Sequence, residues 1–346
     1  MFSGTIKENI IRSCSVDIES VGDQKEEYYK IIYNTIDCAE GMKHGIKDEL
    51  KKYLEKEIRN SIIGCNRKVK DIISRMISTI KESCKKDSCE GDAFCAGIFL
   101  YGEEGVGKDI FSKIFHIVNP RCCECTCTNN YLERGLISIN SAALNNDATA
   151  FREILFGKAY NAAARRIEGT IDNISKKRGT LFFDEIDKLK IPLANELLRV
   201  IESPHTYRRV GDSDIKYANL FVVFASNTRL PDMLKNGFSR AFVFRIGANA
   251  FEIPPLRERP EDIALFFAHE IKKRNDEEGF NIRKIQHEGL RLLCELPWPD
   301  NYRGLKSFIR DLFLDRKIRG IGSNEITYEE VLQVIGKREL LRQRVT

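Results

Sequence analysis

Long apolar runs are missing from this sequence: nowhere does it approach the ~20 consecutive apolar residues that cross a bilayer. The stretch from Met1 to Asp17 mixes charged with apolar residues and holds no continuous apolar core of a secretory signal. No internal repeat is visible, which excludes a solenoid or blade array. A strong charge of one sign is absent too. The net charge is +5, spread over many Lys and Glu, and reads as a solvated mixed surface that does not demand nucleic acid. Cysteine is plentiful, at 11 residues, but lacks the paired spacing of a structural zinc site. Four cysteines crowd into Cys122, Cys123, Cys125 and Cys127, inside a polar stretch that reads as an inserted, exposed loop over residues 122–130. Soft ligands there leave metal or redox chemistry as the sharper alternative. These absences leave the expectation of a soluble, cytoplasmic globular protein with reduced thiols and no membrane contact. At 346 residues it is long enough for two or more cores.

Three stretches of different character follow one another. Residues 1–60 read as a helical N-terminal extension: Lys25 to Asn34 and Lys47 to Arg59 place apolar and charged residues at helical spacing, and Gly41 and Gly45 mark a break. From Ser61, short apolar runs alternate with helical patterns, which indicates an α/β layer architecture. Strands are expected at Ala96 to Tyr101, Leu136 to Asn140, Thr180 to Phe183 and Leu220 to Ala225. Phe242 to Ile246 and Ala250 to Ile253 lie near a fifth. From Pro260 onward the pattern is helical to the end.

The strongest local signal is Gly102-Glu103-Glu104-Gly105-Val106-Gly107-Lys108-Asp109, which fits GxxxxGK between an expected strand and an expected helix. Glycines let the backbone wrap closely and aim its N–H groups at phosphate oxygens. The helix N-terminus adds partial positive charge, and Lys108 can neutralise β and γ phosphates. Asp109 stands where a Ser or Thr magnesium ligand is usual, and a carboxylate can hold that ion directly or through water.

Leu181-Phe182-Phe183-Asp184-Glu185 is an apolar strand ending in two carboxylates. Asp184 suits Mg²⁺, and Glu185 suits orienting and deprotonating an attacking water. Asn227, after the apolar run Phe221 to Ala225, can donate to phosphate and accept from water. The pattern calls for ATP and Mg²⁺.

From about Ser61 to Phe313 the chain resembles the AAA+ ATPase domain of bacterial enhancer-binding proteins, the activators of sigma-54 RNA polymerase. The stretches that carry the resemblance are Ile63-Gly64, GEEGVGKD at 102–109, INSAAL at 139–144, ILFG at 154–157, GTLFFDEID at 179–187, LLRVIE at 197–202, ASN at 225–227, PPLRERPEDI at 254–263 and WPDNYRGL at 298–305. The resemblance implies a P-loop NTPase three-layer sandwich with a parallel sheet at 61–253, and a small α-helical lid with a short tail at 254–346. It implies that Ile63 and Gly64 contact nucleotide. It makes Asn140 a switch residue on Glu185, Arg303 a lid arginine reaching the γ-phosphate, and Arg245 a finger supplied to a neighbouring subunit in a homo-oligomeric ring. Phe238-Ser239-Arg240 departs by one place from the pattern of a second finger, Arg240.

The sigma-54-gripping loop of that family, GAFTGA, is not retained. After Phe156-Gly157 the chain reads Lys158-Ala159-Tyr160-Asn161-Ala162-Ala163-Ala164-Arg165-Arg166, where alanines favour helix over a glycine-tipped loop. Neither a receiver domain nor a DNA-binding helix-turn-helix is recognisable. The resulting expectation is an ATP-hydrolysing ring that remodels a partner protein, with sigma-54 RNA polymerase as the partner the family implies. The alternative is a nucleotide-holding switch or scaffold.

Overall fold

The computed structural model describes residues 15–18, 27–37, 48, 51–52, 54–55, 63–85, 94–118, 135–143, 147–159, 167–177 and 179–343. The cysteine-rich stretch, the segment 160–166, most of the expected helix at Lys47 to Arg59 and the last three residues lie outside these.

The strands run in chain order β1 (Ser15–Asp17), β2 (Phe94–Tyr101), β3 (Leu136–Asn140), β4 (Gly157–Lys158), β5 (Ile167–Glu168), β6 (Thr180–Asp184), β7 (Thr206–Tyr207), β8 (Lys216–Tyr217), β9 (Asn219–Ser226), β10 (Ala250–Glu252), β11 (Lys284–Gln286) and β12 (Glu325–Ile326). Five of them form a sheet in the order β10-β2-β9-β6-β3. Every pairing in it is parallel. A parallel sheet is covered on both faces, so its inner strands β6 and β9 are buried nearly throughout, while the edge strand β3 alternates and exposes Ser138 and Asn140. The side chains divide by parity. Ile98, Leu100, Phe182, Phe221 and Val223 face helices Arg67–Lys85 and Lys108–Ile117. Phe99, Leu181, Phe183, Val222 and Phe224 face the core made with helices Thr170–Lys177, Ile191–Ile201 and Arg240–Ile246. The result is three layers, helix on sheet on helix.

The register decides what the carboxyl edge of the sheet presents. Tyr101 is level with Ser226, and Asn140 with Asp184, while Phe183 pairs with Phe224. The loops that follow β2, β3, β6 and β9 therefore leave the sheet side by side, on the edge where open α/β sheets bind ligands.

A third core, built on Leu256, Ile263, Phe267, Leu290, Trp298 and Phe308, belongs to the C-terminal helices. These are Pro260–Glu278, His287–Glu295, Asn301–Arg319 and Tyr328–Gln343.

Two expectations need correction. Phe242 to Ile246 is helix, not strand: Ser239 caps Arg240–Ile246 by accepting from the Phe242 amide at 3.3 Å. Phe242, Val243 and Ile246 are buried while Phe244 is 71% exposed, a helical stripe that a run of apolar letters disguises. The strand near this place is β10, immediately after. The N-terminal region is also not helical throughout. β1 pairs antiparallel with β11 of the C-terminal subdomain, and Ile18 enters the third core. Val16 sits opposite Ile285 in that pairing. An open strand edge elsewhere in the chain recruits this short segment. The expected helix at Lys25 to Asn34 is present as Glu27–Asp37.

Candidate functional site

The loop after β2 is tied to the neighbouring strand, with the Gly102 amide donating to the Ser226 carbonyl at 3.3 Å. Gly105 has φ +73°, and a Cβ there would stand 2.3 Å from the Asp300 carbonyl oxygen, so only glycine fits. Gly107 caps helix Lys108–Ile117. That helix end carries unpaired amides and the positive end of the dipole. Lys108, buried at the start of the helix, donates through Nζ to the carbonyls of Gly102 (2.9 Å) and Glu103 (3.0 Å) and to Asn227 Oδ1 (2.6 Å). Burial pulls its ammonium below the ordinary lysine value, against the opposing pull of Asp184, Asp187, Glu104 and Asp109. An arriving polyphosphate would favour the charged form in the same way.

β6 delivers the carboxylates. The Glu185 amide donates to Asp184 Oδ1 at 3.0 Å. Burial raises the Asp184 carboxyl above its ordinary value; the Glu185 amide bond and Lys108 oppose this, and the charges of Glu185 and Asp109 add to it. Glu185 leaves the strand with φ +51°, a left-handed backbone that residues other than glycine adopt uncommonly. Asn140, at the end of β3, reaches Glu185 Oε2 through Nδ2 at 3.4 Å and accepts from the Ala143 amide at 3.2 Å. Among the described residues no three His, Cys, Asp or Glu side chains group to hold a metal ion by themselves. Asp184 and the exposed Asp109 offer two carboxylates close enough to influence one another. This donor set fits a hard ion such as Mg²⁺, whose shell is usually completed by phosphate oxygens and water.

The C-terminal subdomain closes on the same loop. Arg303 forms an ion pair with Glu104, both side chains largely exposed. Arg257 grips Glu103 through two nitrogens, one at 2.7 Å, and holds that carboxyl below its ordinary value. Asn301 is fully buried. Its Nδ2 donates to the Glu104 carbonyl (2.8 Å), while Oδ1 accepts from the Leu256 amide (2.6 Å). Asp187 accepts from Ser226 Oγ (2.7 Å) and Thr228 Oγ1 (3.0 Å), and so braces the strand end that presents Asn227. Sequence reasoning singled out none of Asn301, Arg257 and Asp187. Each lay inside a quoted stretch (WPDNYRGL, PPLRER, GTLFFDEID) with no role attached, and a bridging role is visible only once its partners are known.

A cleft of about 930 Å³ runs from Gly105, Val106 and Gly107 past Ile63, Asp109 and Arg303. Gly64 adjoins Ile63 and packs against the ring of Tyr28. The structure thus brings together residues 102–109, Asn140, Asp184, Glu185, Asn227, Arg303, Ile63 and Gly64. Asn140, Asp184, Glu185 and Asn227 do not line the cleft itself but adjoin it through Lys108 and one another, whereas Arg245 has no such link among the described residues. It lies on helix Arg240–Ile246 with Nε donating to the Ile201 carbonyl at 2.6 Å, and both it and Arg240 are exposed. The stretch Lys158 to Arg166 is described only at Lys158 and Ala159. β4 and β5 form a stem in which Gly157 pairs with Glu168, and Ala159 donates to the Val210 carbonyl at 3.0 Å.

A family profile described as "Sigma-54 interaction domain" matches residues 62–252, and one described as "AAA+ ATPase lid domain" matches residues 257–333. The chain is 32% identical over 216 residues to "DNA-binding transcriptional activator HyfR" of Escherichia coli (strain K12), covering 61% of this chain and 30% of that protein. It is 28% identical over 219 residues to "DNA-binding transcriptional regulator NtrC" of Rhizobium meliloti (strain 1021), covering 62% of this chain and 42% of that protein. It spans less than half the length of these relatives. Among solved structures, NtrX from Brucella abortus in complex with ATP superimposes with a TM-score of 0.60 at 19% identity, covering 82% of this chain and 59% of that one. At that identity the likeness establishes the fold. Among the described residues no helix is long and apolar enough to cross a membrane.

Proposed function

The chain belongs to the sigma-54 interaction domain family of AAA+ ATPases, and from that premise we propose that it binds MgATP, hydrolyses it in a ring of identical subunits, and passes the motion to a partner protein in transcription regulation. The observation that carries this is the convergence on one sheet edge of Lys108, Asn227, Asp184 and Glu185. In this reading the amides of residues 103–108 and the Lys108 ammonium hold the β and γ phosphates. Asp184 and Asp109 hold Mg²⁺, which supplies charge neutralisation on the phosphate oxygens. Glu185 aims a water and takes its proton, with Asn140 fixing the carboxylate through the 3.4 Å contact. Arg303 leaves Glu104 to reach phosphate, and Arg245 enters the site of the adjacent subunit. We divide the chain accordingly into an N-terminal extension (1–60), an α/β nucleotide-binding subdomain (61–253) and a helical lid with its tail (254–346).

The proposed partner surface is the stem of β4 and β5 beside the β7–β8 hairpin. Val210 bonds to both Gly157 and Ala159, and Ile167, Ile215 and Tyr217 stand about half exposed. Sigma-54 RNA polymerase is the partner the family supports. A switch or scaffold without turnover has no observation of its own in this site, since the carboxylate that would activate water and the amide that would hold it are both in place.

The test combines nucleotide titration, phosphate release and light scattering with an ATP analogue on the full chain. Lys108→Ala removes a buried cation from its anionic ligand and is expected to weaken MgATP binding by about 30-fold or more. Undiminished uptake by that variant would remove the basis of the reading.

Glu104 is a competitor built into the loop. It pairs with Arg303, and its charge sits close enough to bear on Lys108. Glu104→Gln is expected to tighten MgATP binding by about threefold, the scale of an exposed ion pair that must be given up. Titration with a fluorescent ATP analogue checks this, and an unchanged Kd would mean that the pair exerts no hold on Arg303.

A further inference from the structure

The N-terminal segment lies outside both family matches, yet it attaches on either side of the cleft. β1 joins β11 with Ile18 in the lid core, while Tyr29, Ile32 and Ile36 of helix Glu27–Asp37 enter the α/β core. Tyr28, at the start of that helix, is only 3% exposed and lines the cleft together with Ile63, Val106 and Tyr302. Its ring lies against Gly64: a Cβ there would stand 2.3 Å from Tyr28 Cε2, at a backbone φ of +152°. Its hydroxyl donates to Asp262 Oδ2 at 2.7 Å and accepts from the Asn66 amide at 2.8 Å. Asp262 Oδ1 accepts from the amides of Cys65 (2.8 Å) and Asn66 (3.1 Å). Arg259, 3.8 Å from Asp262, donates to the Val106 carbonyl at 3.0 Å and lies 4.9 Å over the Tyr302 ring.

This network spans three parts of the chain: the N-terminal helix, the segment before helix Arg67–Lys85, and the lid. It ends on the phosphate loop. A tyrosine held at its hydroxyl and packed along its ring has no freedom to turn, which suits a preformed wall for a flat aromatic ligand. The phosphate loop dictates which end of a nucleotide lies where. The triphosphate is drawn to the amides and ammonium at 103–108, so the base falls on the adjacent apolar walls.

We propose that Tyr28 is a nucleotide-binding residue that walls the base end of the cleft where the N-terminal helix meets the lid, so that the N-terminal segment, through Tyr28, takes part in recognising the base rather than the phosphates. This rests on the reading of the cleft as an ATP site. Tyr302 stands on the lid side of the same space, and Asp262 and Asn66 act as positioning residues for the phenol.

The experiment compares MgATP with inorganic tripolyphosphate, which carries the phosphates but no base. Both are titrated calorimetrically against the full chain and its Tyr28→Leu and Tyr28→Phe variants. Tyr28→Leu is expected to weaken ATP binding about tenfold, the scale of losing one aromatic contact to a base, and to leave tripolyphosphate within about twofold. Tyr28→Phe keeps the ring and is expected to stay within about threefold for both ligands. Equal weakening of both ligands by Tyr28→Leu, or ATP binding left intact, overturns the proposal and leaves the ATP site standing. Wild-type protein that takes up neither ligand overturns the ATP reading itself and this proposal with it. Photolabelling of wild-type protein with 8-azido-ATP needs no substitution. Label on Tyr28 or its neighbours in helix Glu27–Asp37 is the expected result, and label confined to other parts of the chain overturns it.

Discussion

Glu185→Gln is expected to lower steady-state ATP turnover by about a thousandfold while MgATP still binds, the usual scale for removing a general base. The substitution keeps the shape and the polar end of the side chain. It also keeps the Asn140 contact, because a carbonyl oxygen can accept from Asn140 Nδ2 as Oε2 does at 3.4 Å. It removes only the capacity to take a proton. Asp184, one residue earlier, is untouched, and so is Lys108 with its bonds to Gly102, Glu103 and Asn227. Phosphate release measured beside analogue titration separates the two effects. Loss of binding in parallel with turnover would mean that Glu185 holds the site together instead of acting on water. Undiminished turnover would hand the base role to another group.

Arg245→Ala is expected to cost about three orders of magnitude in turnover, the scale of a missing arginine finger, with nucleotide uptake by each subunit unchanged. The reason is positional. Arg245 sits on helix Arg240–Ile246 with its Nε donating to the Ile201 carbonyl, not to Asp184, Glu185 or Asn227 of its own chain. In the proposed ring it would act on the site of the adjacent subunit, through a head-to-tail contact that ring closure makes. Mixing sharpens the test. Lys108→Ala subunits keep Arg245, and Arg245→Ala subunits keep the phosphate loop. Mixed assemblies therefore contain some contacts with both groups intact, and turnover should recover above either variant alone. No recovery on mixing, with assembly confirmed by light scattering, would place Arg245 outside the reaction.

Much of this site could be read from the letters of the chain. Residues 102–109 announce a phosphate loop because glycine spacing and a lysine at a helix start are local requirements. The strands at Thr180 to Phe183 and Leu220 to Ala225 are legible because a strand buried on both faces is apolar throughout, and the edge strand at Leu136 to Asn140 because its apolar residues alternate with the exposed Ser138 and Asn140. Asn140, Asp184, Glu185 and Asn227 follow as polar residues at the ends of such runs. Phe242 to Ile246 misled for the same reason. Apolar density says that a segment is buried, but a short run without clear period does not say whether it is strand or helix. The deciding residue there is Ser239, whose capping bond to the Phe242 amide becomes visible only in three dimensions.

The sequence by itself determined the chemistry on offer: an ammonium in a glycine loop, two carboxylates at a strand end, and arginines in the lid. Tertiary structure alone decided which of these meet. Asn301 reaches the loop 197 residues away at Glu104, and Tyr28 reaches Asp262 across 234 residues. β1 finds its partner at Lys284 to Gln286. No periodicity encodes such pairings. They follow from the closure of three cores against one another, which fixes at once the distances between residues that the chain itself keeps far apart.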